Sequence, residues 1–241
     1  MSEPARKWSE TESETYRSLA EVAVPERERQ RDAIVELALS GPATGPVLDL
    51  CCGEGLLSEA ILDADPAVQV LAFDGSDSML TETASRCDAA RLTTRRIDLA
   101  GSEWRRFDRP LRAVVSSLAV HHLDGGQKRA LFQDLGAALT PGGVFVLADV
   151  VLPASDEGFR LAARHFDEEA RRRSLAIRGD LSGFDLFERE QWNCFADGAF
   201  DDIDRPSTIV DHIDWLRQAG FIAVDLHWMI AGHALFSARR P

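Results

Sequence analysis

The stretch VLDLCCGEG, residues 47–55, decides the fold class of this chain of 241 residues. Its first four residues form a short, mainly apolar run, which is typical of a buried β-strand. Residues 54–63 then show a helical pattern, and the turn that leads into it contains Gly53 and Gly55. A glycine-rich turn between a strand and a helix lets a ligand approach the backbone closely. The stretch therefore predicts a ligand-binding turn, with a tight turn that binds nothing as the alternative.

Short apolar runs alternate with helical patterns along most of the chain. This alternation indicates a parallel sheet with helices on both faces and right-handed connections. Two runs near the C-terminus flank Gly232, which suggests an antiparallel hairpin at the sheet edge. The prediction is an α/β fold with a Rossmann-like, doubly wound, mostly parallel sheet of seven strands and an antiparallel C-terminal hairpin. The predicted strands are residues 47–50, 68–73, 92–97, 113–117, 144–149, 222–230 and 233–238, and the predicted helices between them are residues 54–63, 76–89, 127–139 and 207–219.

The alternation divides the chain into three parts. Residues 1–40 are expected to form an N-terminal helical segment, with one helix after Pro25. Residues 41–151 and 207–241 are expected to form the main α/β domain. Residues 152–206 interrupt it and are too long for a simple loop. We expect this insertion to be a helical cap.

The amino-acid composition limits the binding partners and locations that are expected for this chain. The formal net charge of -13 disfavours a nucleic-acid partner, because a negative surface repels phosphates. The apolar stretches are far too short to span a membrane, so no membrane is expected. The four cysteines show no zinc-binding spacing and fit free thiols in a reducing, cytoplasmic location. A monomer and a homodimer are both compatible with the sequence.

Acidic residues lie at the C-terminal ends of three successive predicted strands. Asp49 lies in the first, Asp74 ends the second and Asp98 follows the third. Asp74 comes about 20 residues after Gly53, where doubly wound folds place the carboxylate that binds a ribose. A dinucleotide motif would need a third glycine where Ser58 stands, which weakens an NAD interpretation. Each acid alone is equally typical of a helix cap, but three at one sheet edge indicate a ligand site.

These motifs together resemble the class I S-adenosylmethionine-dependent methyltransferases. Residues 47–55 look like the family's first motif, residues 116–123 (SSLAVHHL) like the segment after the fourth strand, and residues 139–143 (LTPGG) like the turn into the fifth. The likeness covers about residues 46–150 and 207–239. It implies S-adenosyl-L-methionine as the cofactor, with the ribose on Asp74 and the adenine beside Asp98. The cofactor-binding residues that it implies are Tyr16, Asp49, Cys51, Gly53, Gly55, Asp74, Gly75, Met79, Asp98, Leu99 and Ser116. Cys51 replaces the first glycine of the motif, and we expect it to adopt an ordinary backbone conformation.

The activity implied is methyl transfer to a small-molecule acceptor through an O, N or C nucleophile. His121 and His122 are expected near the reacting methyl group, where one of them would act as a general base if the acceptor is protonated. Packing and hydrogen bonding within the loop is the alternative role. No metal site is expected, because the other histidines are dispersed and the fourth strand ends in serines rather than an aspartate.

The insertion contains half of the chain's 12 phenylalanines and Trp192. We expect Arg164, Trp192 and Phe195 to line the acceptor pocket, although aromatic stripes of this kind are usually core and arginines on a helix usually solvated. The N-terminal run from Trp8 to Arg17, with Tyr16, is expected either to cover the cofactor or to form a surface helix. The phenylalanines of the insertion are Phe159, Phe166, Phe184, Phe187, Phe195 and Phe200.

Other functions remain open from the sequence. An enzyme that modifies the cofactor itself, such as a carboxy-S-adenosylmethionine synthase, and an RNA methyltransferase would share this domain. A non-catalytic S-adenosylmethionine-binding partner protein is a further alternative, and an NAD oxidoreductase a more distant one.

Overall fold

One sheet of seven strands forms the centre of the computed structural model, which describes residues 10–196 and 203–241. The strands are β1 Val47–Leu50, β2 Val70–Asp74, β3 Leu92–Arg96, β4 Leu111–Ser117, β5 Leu139–Val150, β6 Ile222–Ile230 and β7 His233–Arg239. The helices are α1 Glu10–Ala23, α2 Arg27–Leu39, α3 Leu56–Ala64, α4 Asp77–Arg86, α5 Gly125–Ala138, α6 Asp156–Arg178, α7 Ser182–Arg189 and α8 Ile209–Gln218. A single 3-10 turn, Val120–His122, follows β4.

The strand order β3-β2-β1-β4-β5-β7-β6 confirms the predicted doubly wound topology. Strands β1 to β5 are parallel, whereas β7 runs antiparallel to both β5 and β6. The chain first builds outward from β1 to β3 and then restarts at β4 on the other side of β1. Sheets of this kind bind ligands outside the carboxyl ends of the strands at such a switch point. The site is therefore expected beyond β1 and β4.

Buried side chains cover both faces of the sheet. Leu48 and Leu50 of β1 pack on one face with Leu131 and Leu135 of α5. Val47 packs on the other face with residues of α2 and α3. All four residues of β1 are buried, which explains why the strand is an almost continuous apolar run rather than an alternating one.

Side-chain hydrogen bonds determine where a helix begins. The helix predicted at residues 127–139 begins at Gly125, because Asp124 and Gln127 form a reciprocal capping box at its N-terminus. It ends at Ala138, and Leu139 already belongs to β5, where it pairs with Leu111 across an irregularity in the register. The fifth strand is therefore longer than the predicted residues 144–149.

The described part of the insertion is helical. Helices α6 and α7 pack against α1 through a cluster that includes Leu19, Phe166, Phe187 and Phe195. Val150, at the carboxyl end of β5, belongs to the same cluster. The helices therefore lie beyond the edge of the sheet where a ligand is expected. Phe200, Trp8 and Ser9 lie outside the described residues. Among the described helices, none has both the length and the apolar character needed to cross a membrane.

Candidate cofactor and acceptor site

A cavity of about 1020 Å³ opens at the carboxyl ends of the parallel strands. Its floor comes from the loops after β1, β2, β3 and β4, and its walls come from α1 and α2. Residues near 203 and 205 close the side next to the 3-10 turn. The cavity thus lies at the switch point, and most of the predicted ligand-binding loops reach it.

Asp74 holds the glycine-rich turn from the neighbouring strand. One carboxylate oxygen accepts a hydrogen bond from the Gly53 backbone N–H at 2.9 Å, and the other accepts from the Ser76 N–H at 2.9 Å. Burial raises the pKa of this carboxyl group, although these hydrogen bonds act in the opposite direction. A carboxylate has about four lone-pair sites, so it can still accept from a ligand's hydroxyl group.

The two glycines of the turn serve different purposes. Both have positive φ, 53° at Gly53 and 80° at Gly55. A Cβ on Gly53 would meet nothing within 4 Å, so the backbone there is open to the cavity. A Cβ on Gly55 would lie 2.7 Å from a methyl carbon of Thr83 in α4. Gly53 therefore leaves room for a ligand, and Gly55 permits close helix packing.

The backbone of Cys51 differs from the conformation expected from the sequence. Its φ of 59° is left-handed, so the expected ordinary conformation was wrong. The chain turns sharply out of β1 at this residue, which lets the next N–H, that of Cys52, donate to the Phe73 carbonyl of β2 at 3.1 Å. The first motif position therefore needs the glycine-like conformation although cysteine occupies it.

Asp49 is buried beneath the turn and borders the cavity. The Ser58 hydroxyl donates to its carboxylate at 2.6 Å. Burial, opposed by this hydrogen bond, raises the pKa of Asp49 to about 7. Ser58 occupies the third glycine position of a dinucleotide motif, and here it supplies a hydrogen bond instead of space.

Asp98 and Leu99 reach the cavity from the loop after β3. The Ala100 N–H donates to the Asp98 carboxylate at 3.1 Å, and the Trp104 indole N–H donates to the Asp98 carbonyl at 3.0 Å. Met79, buried in the first turn of α4, lines the cavity as well. A carboxylate with apolar neighbours suits a flat, polar-edged ring.

Helix α1 covers one side of the cavity. Its Glu10 carboxylate accepts from the hydroxyls of Ser76, at 2.8 Å, and Ser78, at 2.5 Å, and from the Asp77 N–H at 3.1 Å. Tyr16 lines the cavity, and its ring lies 6.5 Å from that of Trp192 in centroid separation. This helix is therefore held at one end by the start of α4 and packed along its length on the cap.

A cluster of histidines and carboxylates lies where the 3-10 turn meets the loop before α8. His121 Nδ1 lies 2.5 Å from Asp149 Oδ1, and its Nε2 lies 3.4 Å from Asp204 Oδ1. His122 Nδ1 lies 3.0 Å from the same Asp204 oxygen. Burial lowers the pKa of His121, but Asp149 and Asp204 outweigh it and raise that pKa to about 10. Burial, followed by the neighbouring His121, lowers the pKa of His122.

Comparison with known proteins points to the region of the chain that forms the cavity floor. Residues 47–143 match the family model described as "Methyltransferase domain". Residues 47–143 therefore resemble a methyltransferase domain. This domain runs from β1 into β5 and so contains all the strand ends that form the cavity floor.

Two curated relatives of the methyltransferase domain are carboxy-S-adenosyl-L-methionine synthases. The one from Chromohalobacter salexigens is 29% identical over 74% of this chain and 62% of its own length. The one from Pseudoalteromonas atlantica is 23% identical over 89% of this chain and 84% of its own length. The chain thus spans less than two thirds of the first relative.

Solved structures support the fold. An O-methyltransferase family protein from Burkholderia thailandensis superposes with a TM-score of 0.63 at 15% identity, covering 88% of this chain and 55% of that chain. An O-methyltransferase family 2 protein from Planctomyces limnophilus, in complex with apigenin, superposes with a TM-score of 0.59 at 16% identity. The superposition covers 95% of this chain and 62% of that chain. At these identities the likeness establishes the fold alone.

Most of the predicted cofactor residues of the methyltransferase domain and α1 meet in the cavity. Gly55 and Ser116 do not line it: Gly55 packs beneath α4, and the buried Ser116 hydroxyl donates to the Leu50 carbonyl at 2.8 Å. Of the two histidines, His122 borders the cavity and His121 lies behind it. The predicted cofactor residues that line the cavity are Tyr16, Asp49, Cys51, Gly53, Asp74, Gly75, Met79, Asp98 and Leu99.

None of the three predicted acceptor residues lines the cavity. Arg164 is 62% exposed and pairs with Glu168 one helical turn away, at 3.8 Å. Phe195 is 1% exposed and packs into the core of the cap. Neither lines the cavity, because α1 lies between the cap core and the cavity. The ring of Trp192 lies 6.5 Å in centroid separation from that of Tyr16, which does line the cavity.

Sequence reasoning missed three acids of the site. Asp149 lies one residue before the end of β5, and the same strand-end argument that selected Asp74 and Asp98 would have selected it. Asp204 and Glu10 offered no such signal, because neither follows a predicted strand and each meets its partners only after folding.

Proposed function

We propose that the protein transfers a methyl group from S-adenosyl-L-methionine to a small-molecule acceptor. The observation that carries this proposal is the convergence of the Gly53 turn, Asp74 and Asp98 on one cavity. These groups come from three different strand ends, and each suits one part of an adenosine-containing ligand. The match of residues 47–143 to a methyltransferase domain supports the same activity.

The roles proposed for the residues follow their positions. Asp74 accepts hydrogen bonds from the ribose hydroxyls, and Asp98 accepts one from the adenine amino group. Leu99 and Met79 contact the two faces of the adenine ring. Asp49 faces the positively charged methionine end of the cofactor, beneath the Gly53 turn. A sulfonium makes the methyl group a good electrophile, so alignment with the acceptor supplies much of the rate.

The acceptor is proposed to bind between Tyr16 and His122. A cavity of about 1020 Å³ must hold both the cofactor and the acceptor, which favours a small molecule. Activation of the acceptor is proposed at the His121–His122 pair, and of these His122 borders the cavity. The general-base role predicted for one of them stays a prediction. Four free cysteines are compatible with the proposed cytoplasmic location.

Turnover tests this function. The protein is incubated with S-adenosylmethionine carrying a deuterated methyl group and with pools of small hydroxyl- and amino-containing acceptors. Mass spectrometry should detect S-adenosylhomocysteine together with an acceptor heavier by one labelled methyl group. Tight cofactor binding without turnover of any pool would instead indicate the non-catalytic partner protein.

A second candidate function rests on the two curated relatives, both named carboxy-S-adenosyl-L-methionine synthase. Such an enzyme would modify the cofactor and leave no methylated acceptor. When a carboxyl donor is added to the assay, the same mass spectra separate the two functions, because this product is the cofactor with a carboxyl group in place of one hydrogen of its methyl group. The cofactor that co-purifies with the protein should be analysed in the same way.

A further inference from the structure

Two imidazoles and one carboxylate meet beside the cavity. His121, His122 and Asp204 each place one possible ligand atom within 4.8 Å of the others. His122 borders the cavity, as do Ile203 and Arg205, the neighbours of Asp204. No sequence pattern predicts this group, because only folding brings Asp204 to the paired histidines.

We propose that His121, His122 and Asp204 bind one divalent transition-metal ion at the acceptor end of the cavity. The spacing of the ligand atoms supports this. Donor atoms about 2.1 Å from a shared ion lie about 3.0 Å apart at right angles and about 3.4 Å apart in a tetrahedron. The Asp204 oxygen lies 3.0 Å from His122 Nδ1 and 3.4 Å from His121 Nε2. Both distances to the Asp204 oxygen therefore fit donor atoms that share one ion.

Asp149 completes the arrangement. It lies against Nδ1 of His121, on the ring edge opposite the nitrogen that faces Asp204. Histidines that bind metals usually donate their other N–H to a carboxylate, which fixes the tautomer and orientation of the ring. The Asp149 side chain is fully buried and also accepts the His121 backbone N–H at 2.8 Å. His121 is therefore already oriented with Nε2 toward the proposed ion.

Charge and donor type select the class of ion. Asp149 and Asp204 carry two negative charges in a largely buried setting, which a dication would balance. Two imidazoles with one carboxylate favour ions such as zinc, cobalt or iron over magnesium and calcium, which prefer oxygen ligands throughout. The prediction of no metal site from the sequence would then fail for this cluster.

The consequence for the reaction rests on the proposed function. An ion beside the cavity would bind the acceptor's oxygen or nitrogen and make it easier to deprotonate. His122 would then serve as a ligand, and the acceptor would need no histidine as its general base. Metal binding itself requires no turnover and can be measured alone.

Cobalt titration of the full chain tests the site. After dialysis against a chelator, Co²⁺ is added in the presence of excess Mg²⁺, and the visible ligand-field absorption is followed. We expect one ion per chain and no thiolate charge-transfer band, because the chain's cysteines are not ligands. His122→Ala and Asp204→Asn should each weaken binding at least tenfold. The exposed His165→Ala and Asp185→Asn serve as matched controls and should leave it unchanged.

Asp149→Asn should weaken binding by roughly 10- to 100-fold, because losing the carboxylate that orients a metal-binding histidine typically has an effect of that size. Absence of Co²⁺ absorption in the wild-type protein, or equal binding in His122→Ala and Asp204→Asn, would overturn the proposal and leave the cluster as an ion-pair network. Metal binding without methyl transfer would support the site while contradicting the proposed function. Methyl transfer that persists in the chelator-treated, metal-free protein would remove the catalytic role but not the site.

Discussion

Asp49 is a carboxyl group that folding removes from water. Its pKa of about 7 lies well above the value near 3.9 of an exposed aspartate, so the folded protein holds a proton that the unfolded chain releases. Stability from this group is therefore lost as the pH rises from about 4 to about 7. We expect Asp49→Asn to be increasingly more stable than the wild type across that interval, by on the order of 4 kcal/mol at its end.

Urea unfolding of both proteins at pH 5 and pH 8 measures this difference. Asp63→Asn, an exposed residue near the end of α3, is the matched control and should follow the wild type at both pH values. Parallel stability curves for Asp49→Asn and the wild type would mean that Asp49 is already ionised in the folded protein.

Individual residues also show how much of the site could be predicted from the sequence. Asp74 and Asp98 were found because strand ends are visible as apolar runs followed by an acid. The left-handed backbone of Cys51 could not be predicted, because cysteine rarely adopts this conformation. The reason for the sharp turn at Cys51 is the hydrogen bond from the Cys52 N–H to β2, which is visible only in the folded structure. Asp204 was missed because its partners are distant in the chain.

Helix α1 is held over the cavity by a contact at its first turn. Three donors at the start of α4 converge on the Glu10 carboxylate. We expect Glu10→Ala to loosen this end of the helix and to raise the dissociation rate of S-adenosylhomocysteine several-fold, with little change in the thermal midpoint. Stopped-flow displacement of a fluorescent cofactor analogue measures the rate.

Glu14→Ala, on the exposed side of the same helix, is the control for helix propensity and charge. If both variants release the ligand at the same rate, the contact with α4 does not hold α1 over the cofactor.

The cap has its own aromatic core. Phe187 is 1% exposed, and its ring lies 5.0 Å from that of Phe166 and 6.1 Å from that of Phe184 in centroid separation. Phe187→Ala should lower the free energy of unfolding by about 3–5 kcal/mol, because it removes buried contacts and leaves a cavity. Leu175→Ala, at a residue that is 50% exposed, should cost far less. Equal losses in denaturant unfolding would show that the cap core is not packed as described.

At the scale of elements, strands were easier to predict than contacts between elements. The parallel strands are buried on both faces, so they appear in the sequence as apolar runs. Helical spacing likewise indicated α6 from Phe159, Ala162 and Phe166. Nothing local showed that α1 would lie between the cap and the cavity, which is why Phe195 was expected in the acceptor pocket.

At the scale of the whole molecule, the cavity is a product of topology. Parallel strands bring their carboxyl ends to one edge, so loops far apart in the chain converge there without any local signal. The cofactor side follows from this rule, and its residues could be predicted from sequence. The acceptor side depends on α1, the 3-10 turn and residues 203–205, whose approach is a long-range packing result.

Calorimetric titration of S-adenosylhomocysteine into the wild type and into Asp74→Ala tests the central claim most directly, which is that this cavity binds the cofactor through the strand-end acids. We predict one binding site in the wild type and an affinity lower by roughly 10- to 150-fold in Asp74→Ala, the loss of about 1.5–3 kcal/mol expected for hydrogen bonds to a charged group. Asp88→Ala, an exposed acid beyond α4, should bind as the wild type does. No binding to the wild type at millimolar ligand, or an unchanged affinity in Asp74→Ala, would contradict it.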